Sequence, residues 1–414
     1  MITEPAAVAR QRLATLVSPD VGVIHRVDDG VTQYDHPRLA PAYAQMCETG
    51  ALFGVRTTAH AGGMADDPEQ AWLAAAGEAI ERYCATAVPG SRLRRAAPAE
   101  LTGPVVPPLW LAGHGAHGRP ISWVPGWQLR GTGPAEPAWL AASRVYLAHQ
   151  DDAGQVAMPT STGLACHADP WRALYAALLE VIERDAVMIS WLARTGARPL
   201  RASLRWTAPR GNAVRFDRAP EQYRLYLLDS PTGAPVVFAV ARGAQGQPGA
   251  AVGAAAHPSL PHACRKALVE AHQTMQWATH MLAEGRTPAP SADQVHDLDA
   301  HVAYYLDPAR VDAFAFLDGD GAAPEPAEYV ELAQLPVLPD PESACRRLVA
   351  DVIAAGLDCY AADVTAPEVR AAGLWVIRAV VPGLYPLLVG TGPRPDHPRL
   401  PADASVNPDP HPFP

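Results

Sequence analysis

The feature that most constrains this chain is an acidic signature, Glu-x-x-Glu-Arg, that occurs twice. Its members are Glu78, Glu81 and Arg82 in the first copy, and Glu180, Glu183 and Arg184 in the second. Residues three and four apart on a helix share a face, so each copy directs two carboxylates and a guanidinium the same way. If the two faces meet, four carboxylates shift one another's pKa values unless cations lie between them. The repeat therefore favours a site for divalent metal and polyphosphate.

A solvated helix face with an internal Glu–Arg pair explains either copy taken alone. The repetition favours a functional site, because both copies lie on helices that are otherwise rich in alanine and leucine. A third predicted helix carries Glu270 with Arg265 and Gln273 and has the same character. Mg²⁺ takes oxygen ligands and bridges carboxylates to phosphates, and arginine binds phosphate oxygens as a planar fork.

The charge composition excludes several classes of partner. The 414 residues carry a net charge of −10, and Lys266 is the only lysine. Because no basic run or basic-aromatic stripe occurs, we expect no nucleic-acid partner. No signal segment or long apolar span is present, so we expect no membrane association and a cytoplasmic location. The six cysteines have no CxxC spacing, which argues against a structural zinc site or a disulfide framework.

Helical and strand patterns alternate along the chain without a clear linker. They predict an α/β fold built as a single intertwined domain, with mixed sheets, packed helices and the candidate site between acidic helices. We divide the chain into an N-terminal lead-in (1–20), a catalytic domain (21–400) and a proline-rich tail (401–414). In the Pro-, Gly- and Trp-rich stretch 98–157, PISWVPGWQL and SRVYLA are the strand-like pieces.

Two motifs that could indicate other chemistry are set aside. GHGAHG at 113–118 matches GxGxxG by spelling, but the residues that follow cannot form the helix that a dinucleotide loop requires, so we interpret it as a flexible turn. No GxxxxGK occurs, so a nucleotide site must work without a Walker lysine. No His–Asp arrangement supports Cys166 as a nucleophile, and the histidines have no convincing ligand spacing.

Two segments next to the acidic helices have open interpretations. Ser161, Thr162 and Gly163 form either an ordinary turn or a small-residue loop that lets phosphates approach. The chain ends in alternating prolines, Pro410, Pro412 and Pro414. This end is either a disordered proline-rich tail or a pre-organised polyproline finger that delivers the terminal carboxylate to a fixed place.

Taken in order, these motifs resemble the YcaO superfamily, and within it the azoline-forming cyclodehydratases of ribosomally made peptides. GGMADDPEQAWLAAAGEAIERY and STGLACHADPWRALYAALLEVIERDAV resemble its first and second ATP/metal helices. VGAAAHPSLPHACRKALVEAHQ resembles the third, and NPDPHPFP is similar to the C-terminal PxPxP of the peptide-heterocyclising branch. The resemblance extends from about residue 20 to 414.

The resemblance implies ATP and Mg²⁺ as cofactors, and it assigns roles to the acidic helices. Mg²⁺ would be held by Glu78, Glu81, Glu180, Glu183 and Glu270. ATP would be bound by Arg82, Ser161, Thr162, Gly163, Arg184, Arg265, Lys266 and Gln273, with the basic residues on its phosphates. The prolines Pro410, Pro412 and Pro414 would form the catalytic tail. The chain departs from the family at Arg172, where many members have a glutamate, and at Ala165 and Ala168, which are usually polar.

The implied reaction begins when a Cys, Ser or Thr side chain of a substrate peptide attacks the preceding amide carbonyl. The carbonyl oxygen takes the γ-phosphate of ATP, and elimination of phosphate gives a thiazoline or an oxazoline, with Cys or Ser/Thr left open as the nucleophile. The carboxylate of Pro414 would orient or deprotonate the substrate. Because the chain begins almost directly with the catalytic unit, the resemblance also implies a partner, related to ubiquitin-activating enzymes, that captures the leader of a ribosomal precursor peptide. We further expect a homodimer.

Two alternatives remain open. A YcaO enzyme can instead form thioamides or amidines, although the PxPxP tail argues against that branch. A degenerate YcaO protein could serve as a peptide-binding scaffold, although unpaired carboxylates are costly to retain without metal.

Overall fold

The computed structural model describes residues 6–57, 60–106, 119–131, 133–147, 149, 160–319, 329–332, 340–390, 397–400 and 406–414. The helices are α1 (Ala6–Ala14), α2 (Thr49–Phe53), α3 (Pro68–Thr86), α4 (Ala142–Val145), α5 (Pro170–Ala193), α6 (Leu260–Ala283), α7 (Leu298–Tyr304), α8 (Pro341–Ala354) and α9 (Pro367–Ala371). Turns of 3-10 helix occupy Gly90–Arg92, Pro98–Glu100, Phe216–Arg218, Ala292–Gln294 and Pro308–Asp318.

The strands are β1 (Ile24–Asp29), β2 (Ala40–Met46), β3 (His60–Ala65), β4 (Arg94–Ala96), β5 (Val105–Val106), β6 (Ile121–Gln128), β7 (Glu136–Ala141), β8 (Leu164–His167), β9 (Ala197–Ala202), β10 (Arg205–Thr207), β11 (Ala213–Arg215), β12 (Gln222–Leu228), β13 (Val236–Arg242), β14 (Ala250–Ala256), β15 (Tyr329–Val330), β16 (Tyr360–Asp363) and β17 (Trp375–Val380).

The helices α3 and α5 start at the aspartate–proline pairs of the sequence. The Asp67 carboxylate accepts a hydrogen bond from the Glu69 N–H at 2.8 Å, and Asp169 accepts from the Arg172 N–H at 3.0 Å. Proline at the first helical position removes only a donor that has no intrahelical partner. Helix α6 follows Ser259 with a proline in its first turn and no side-chain cap.

Four sheets are formed by the described strands. The three-stranded sheet has the order β1-β2-β3, and the five-stranded sheet has the order β14-β13-β12-β9-β15. The seven-stranded sheet has the order β5-β7-β6-β16-β17-β8, with β4 also paired to β6, and β10 and β11 form a hairpin. Pairing is antiparallel except for β5 with β7 and β9 with β15. Strands β3, β8 and β14 each lie at the edge of a described sheet.

The three acidic helices pack on these sheets in layers. Helix α5 lies between the five- and seven-stranded sheets, and α3 lies between the three- and seven-stranded sheets. Helix α6 covers the other face of the five-stranded sheet. Strand β13 shows this arrangement, because Val236 and Phe238 join the core under α5 whereas Val237 and Ala239 join the core under α6. Both faces of this sheet are therefore buried.

Two glycines let the helices approach the edge strands closely. A Cβ on Gly63 would lie 2.2 Å from the Ala71 carbonyl oxygen of α3, and one on Gly253 would lie 2.3 Å from the Ala271 nitrogen of α6. No larger residue fits at either position without moving the helix.

The predicted α/β fold with mixed sheets and packed helices is confirmed, and Glu78, Glu180 and Glu270 lie on helices as predicted. The strand expected for SRVYLA is wrong: the chain forms the helical turn α4, in which Ala142, Ser143 and Val145 are all buried. Burial of successive residues replaces the alternation that a half-buried strand needs. The GHGAHG turn lies outside the described residues. The division into lead-in, catalytic domain and tail stays a prediction, and part of the lead-in forms α1, which buries Leu13.

None of the described helices combines the length and the apolar character that a membrane span requires. All six cysteines are free thiols.

Candidate active site

The glutamates of α3 connect two sheet edges. Glu78 accepts a hydrogen bond from the Gly62 N–H of β3 at 3.0 Å. One turn later, Glu81 accepts from the Cys166 N–H of β8 at 2.7 Å. Edge strands present unpaired N–H groups, and here the carboxylates of the first signature satisfy them.

The glutamates of α5 act in the same way on two further segments. Glu180 accepts from the Gly163 N–H, next to β8, at 3.0 Å. Glu183, which is buried, accepts from the Ala256 N–H of β14 at 3.0 Å. The second signature thus joins the edge of the seven-stranded sheet to the edge of the five-stranded sheet.

Helix α6 completes the arrangement. Glu270 accepts from the Ala254 N–H of β14 at 3.3 Å. The amide nitrogen of Gln273 lies so close to β3 that a Cβ on Gly62 would be 2.9 Å from it. Three helices and three sheet edges therefore form a ring, which we call the acidic ring: Glu78, Glu81, Glu180, Glu183 and Glu270.

Arg184 lies among three carboxylates of the acidic ring. Its guanidinium is 2.6 Å from Glu183 Oε1, 3.5 Å from Glu180 Oε1 and 3.9 Å from Glu270 Oε1. Burial alone would lower the pKa of Arg184, but Glu183 and Glu180 outweigh it and raise that pKa. The guanidinium is thus a permanent charge that balances part of the cluster.

The carboxylates still exceed the positive charge around them. Burial raises the pKa of Glu81 well above its ordinary value, and Glu180 and Glu78 add to the effect. Burial also raises the pKa of Glu180. The pKa of Glu270 rises to about 7, through burial and the charge of Glu183. A divalent cation would relieve this repulsion.

The donor set fits Mg²⁺, because every acidic-ring ligand is a carboxylate oxygen and hard cations prefer oxygen. Within the described part of the chain, no three His, Cys, Asp or Glu side chains already stand in a metal-binding arrangement. The assignment of the five glutamates to Mg²⁺ stays a proposal.

The adjacent side chains of Arg265 and Lys266 lie in different surroundings. Glu183, Glu270 and Glu180 outweigh the effect of burial and raise the pKa of Lys266, which therefore belongs to the cluster. Arg265 instead donates to the Leu332 carbonyl oxygen at 2.7 Å and stacks over the Trp206 ring. Neighbouring residues on a helix do not share a face. The Arg265 guanidinium is therefore engaged outside the cluster in this structure, and its predicted contact with phosphate stays a prediction.

Arg82 lies at the β3 end of the acidic ring. It donates to the His60 carbonyl oxygen at 2.6 Å and to Glu78 Oε1 at 2.5 Å. Arg172 contributes its backbone N–H to the cap of α5. Burial of His167, and to a smaller extent the charge of Arg172, lowers the pKa of His167 to about 4.

The Ser161–Gly163 loop packs closely against β17. Gly163 has a φ of +83°, and a Cβ there would lie 2.6 Å from the Ala379 carbonyl oxygen. Thr162 Oγ1 is buried without a hydrogen-bond partner among the described residues, whereas Ser161 is exposed. A buried hydroxyl without a partner is costly, so a ligand contact at Thr162 would offset that cost.

The proline tail is buried along α5. Pro410 and Pro412 are buried and Pro414 is partly exposed. The Asn407 N–H donates to the Leu192 carbonyl oxygen at 2.9 Å, and the Trp191 indole N–H donates to the Asp409 carbonyl oxygen at 3.0 Å. These bonds place the segment against the last turn of α5.

The rest of the tail approaches the acidic ring. The Tyr305 hydroxyl donates to the Pro410 carbonyl oxygen at 2.6 Å, and His301 Nδ1 donates to the His411 carbonyl oxygen at 2.6 Å. The Phe413 ring centroid lies 4.0 Å from Arg184 Cζ. Sequence reasoning missed His301, Tyr305 and Phe413; the only signal was the aromatic residue between the last two prolines.

A family model described as YcaO cyclodehydratase, ATP- and Mg²⁺-binding, matches residues 62–385. The chain belongs to the YcaO family. The predicted family is confirmed, and ATP and Mg²⁺, the predicted cofactors, are those of the family description. The match includes all five glutamates of the acidic ring and ends before the proline tail.

Solved structures share the YcaO fold with this chain. One described as a heterocyclase in complex with substrate and cofactor has a TM-score of 0.74 and 21% identity, over 99% of this chain and 57% of that chain. YcaO from Methanopyrus kandleri bound with AMPPCP and Mg²⁺ has a TM-score of 0.64 and 22% identity, over 95% and 94%. The E. coli microcin synthetase McbBCD complex with pro-MccB17 bound has a TM-score of 0.60 and 13% identity, over 86% and 87%. No curated protein sequence gave a significant match.

Proposed function

We propose that this YcaO protein is an ATP-dependent cyclodehydratase that converts Cys, Ser or Thr residues of a ribosomally made precursor peptide into thiazolines or oxazolines. The observation that carries the proposal is the position of the tail. Phe413, which precedes the terminal proline, packs on Arg184 in the middle of the acidic ring. The chain end that resembles the azoline-forming branch therefore lies where phosphoryl transfer would occur.

The chemistry requires that an amide oxygen becomes a good leaving group. The attacking side chain loses its proton and forms a bond to the amide carbon, and the carbonyl oxygen takes the γ-phosphoryl group of ATP, which leaves ADP. That oxygen then departs as phosphate while the amide nitrogen loses its proton and forms the C=N bond of the ring. In this proposal the acidic ring holds Mg²⁺. Arg184, Arg82 and Lys266 balance the phosphate charge, as preorganised cations do in phosphoryl transfer.

The loop and the tail have separate roles in this proposal. The Ser161–Gly163 loop lines the nucleotide, and the unused hydroxyl of Thr162 supports this role. The Pro414 carboxylate orients the substrate peptide or accepts its proton. Burial of Pro410 and Pro412 supports this role, since a rigid tail delivers its terminal group to one place.

The partners also belong to the proposal. We expect a ribosomal precursor peptide as substrate and a leader-binding protein related to ubiquitin-activating enzymes, together with a homodimer of this chain and a cytoplasmic location. The similar microcin synthetase is a complex with pro-MccB17 bound, and the similar heterocyclase was solved with substrate. This chain spans 57% of the length of that heterocyclase.

The test is to incubate the protein, its gene-neighbour partner, the candidate precursor peptide and Mg-ATP, and to read the peptide mass. Loss of one water per modified Cys, Ser or Thr supports cyclodehydration. Exchange of oxygen for sulfur would show a thioamide-forming enzyme, and absence of ATP turnover with every pairing would show a scaffold. Either of the last two results overturns the proposal.

Two variants and a matched control sharpen the test. Glu180→Gln should abolish ATP-dependent turnover, and deletion of Pro412–Pro414 should abolish dehydration with the fold intact. The control is Glu342→Gln, which removes a glutamate from a surface i,i+4 pair with Arg346 on α8 and should leave turnover unchanged. Full activity after the tail deletion would contradict the role of the tail.

A further inference from the structure

The tail follows α5 with a spacing that fits the helix. Trp191 and Arg184 are two turns apart, which corresponds to about 10.5 Å along the axis. The tail residues that contact them, Asp409 and Phe413, are four residues apart, or about 12 Å in polyproline geometry. The two contacts of the tail, at Asp409 and Phe413, are therefore spaced like the two α5 residues that they meet.

Phe413 and the glutamates contact different parts of Arg184. The guanidinium donates in its own plane, where it faces Glu180, Glu183 and Glu270. The fully buried Phe413 ring lies within cation–π distance of Arg184 Cζ. The ring and the carboxylates therefore do not compete for the same donors.

The ion pairs alone leave the guanidinium loosely held. Only the contact with Glu183, at 2.6 Å, is a short hydrogen bond, while the distances to Glu180 and Glu270 are 3.5 Å and 3.9 Å. Rotation about the short bond would move the other amino groups of Arg184 away from the cluster. A rigid aromatic ring against the guanidinium opposes that rotation.

We propose that Phe413 is a positioning residue, whose ring fixes the plane of the Arg184 guanidinium and thereby sets the affinity of the acidic ring for Mg-ATP. The inference rests on the nucleotide site of the proposed function and not on the product that the enzyme forms. It makes the seating of the C-terminal tail a determinant of nucleotide binding.

A double-mutant cycle tests this role by calorimetry with Mg²⁺ and a non-hydrolysable ATP analogue, without peptide. Phe413→Leu keeps an apolar side chain and removes the π face, and it should weaken binding about three- to tenfold. In the Arg184→Gln background the same change should have no further effect. Equal weakening in both backgrounds, or no weakening in either, overturns the proposal.

Matched controls separate positioning from folding. Phe316→Leu removes another aromatic ring that packs against α5, 5.6 Å from Trp191, and should leave binding unchanged. Hydrogen exchange of the Asn407, Asp409 and His411 amides should be the same in Phe413→Leu and in the unmodified protein, since release of the tail would make the effect structural and overturn the proposal. Phe413→Met replaces Phe413→Leu if the latter does not fold. If the protein binds the nucleotide but forms no azoline, the double-mutant cycle of Phe413 and Arg184 can still be measured. The positioning role and the proposed function can therefore fail independently.

Discussion

The imidazole rings of His301 and His411 stack with their centroids 3.8 Å apart and an angle of 11° between their planes. His301 donates from Nδ1 to the His411 carbonyl oxygen and accepts from the Gly390 N–H at Nε2, at 3.0 Å. These partners assign a neutral ring to His301. The pair joins α7 to the tail.

Acid should weaken this junction. Burial lowers the pKa of His301 to about 4, although its bond to the His411 carbonyl and the charge of Asp297 act in the opposite direction. The folded protein then binds fewer protons than the unfolded chain between pH 4 and the ordinary pKa of His. The stability that His301 contributes is complete above that ordinary pKa and is lost as the pH falls towards 4, by about 2 kcal/mol at pH 5.

Urea unfolding at pH 7.5 and pH 5 measures this loss, with His301→Asn as the comparison. The half-buried His167 and His257 and the buried His272 also have lowered pKa values and act in the same direction. The prediction therefore compares the two proteins. Between pH 7.5 and pH 5, the free energy of unfolding should fall by about 2 kcal/mol less in His301→Asn than in the unmodified protein. An equal fall in both proteins would show that His301 does not titrate with unfolding.

Two substitutions of Glu183 should separate its contribution to stability from its contribution to Mg-ATP binding. Glu183→Ala leaves the Ala256 N–H without its acceptor and removes the shortest ion-pair contact of the Arg184 guanidinium, and should destabilise the fold by about 3–5 kcal/mol. Glu183→Gln keeps an acceptor for both and should destabilise it less, yet lose Mg-ATP affinity because the charge is gone. Thermal unfolding and calorimetry check the two effects. Equal stability of the two variants would contradict the role of Glu183 at the sheet edge.

Gly253→Ala should displace α6 from β14. The new Cβ would lie 2.3 Å from the Ala271 nitrogen and 2.6 Å from the Ala267 carbonyl oxygen, so we expect destabilisation of about 1–3 kcal/mol. Gly77→Ala is the matched control, because a Cβ there has open space on a helix. It should be neutral or stabilise by up to about 1 kcal/mol. Chemical unfolding measures the free energy of unfolding of both variants. Similar values for the two would rule out steric displacement of α6.

Thr162→Val tests whether the Thr162 hydroxyl, which has no hydrogen-bond partner among the described residues, contacts the nucleotide. The change removes a buried oxygen that has no partner among the described residues, so stability without ligand should be unchanged or higher. Affinity for Mg-ATP should fall about tenfold, as for a lost hydrogen bond in a buried site. Calorimetry and thermal unfolding together test this, with Thr207→Val at an exposed position of β10 as the matched control. Unchanged affinity would remove Thr162 from the nucleotide site.

Local signals in the sequence were sufficient for the helices that carry the acidic ring. Asp67 and Asp169, each followed by proline, mark the starts of α3 and α5, and periodicity does the rest. The direction of adjacent residues was harder to predict. Arg265 and Lys266 are both basic and adjacent in the sequence. Successive residues on a helix point about 100° apart, so only Lys266 faces the carboxylates.

The sequence by itself determined which side chains could bind metal and phosphate, because helical spacing places two glutamates and an arginine on one face. Only the tertiary structure decided what those carboxylates bind. Their partners Gly62, Cys166, Ala254 and Ala256 contribute backbone N–H groups. Every residue except proline has such a donor, so no residue type marks these positions; the packing of three sheet edges around the helices selects them.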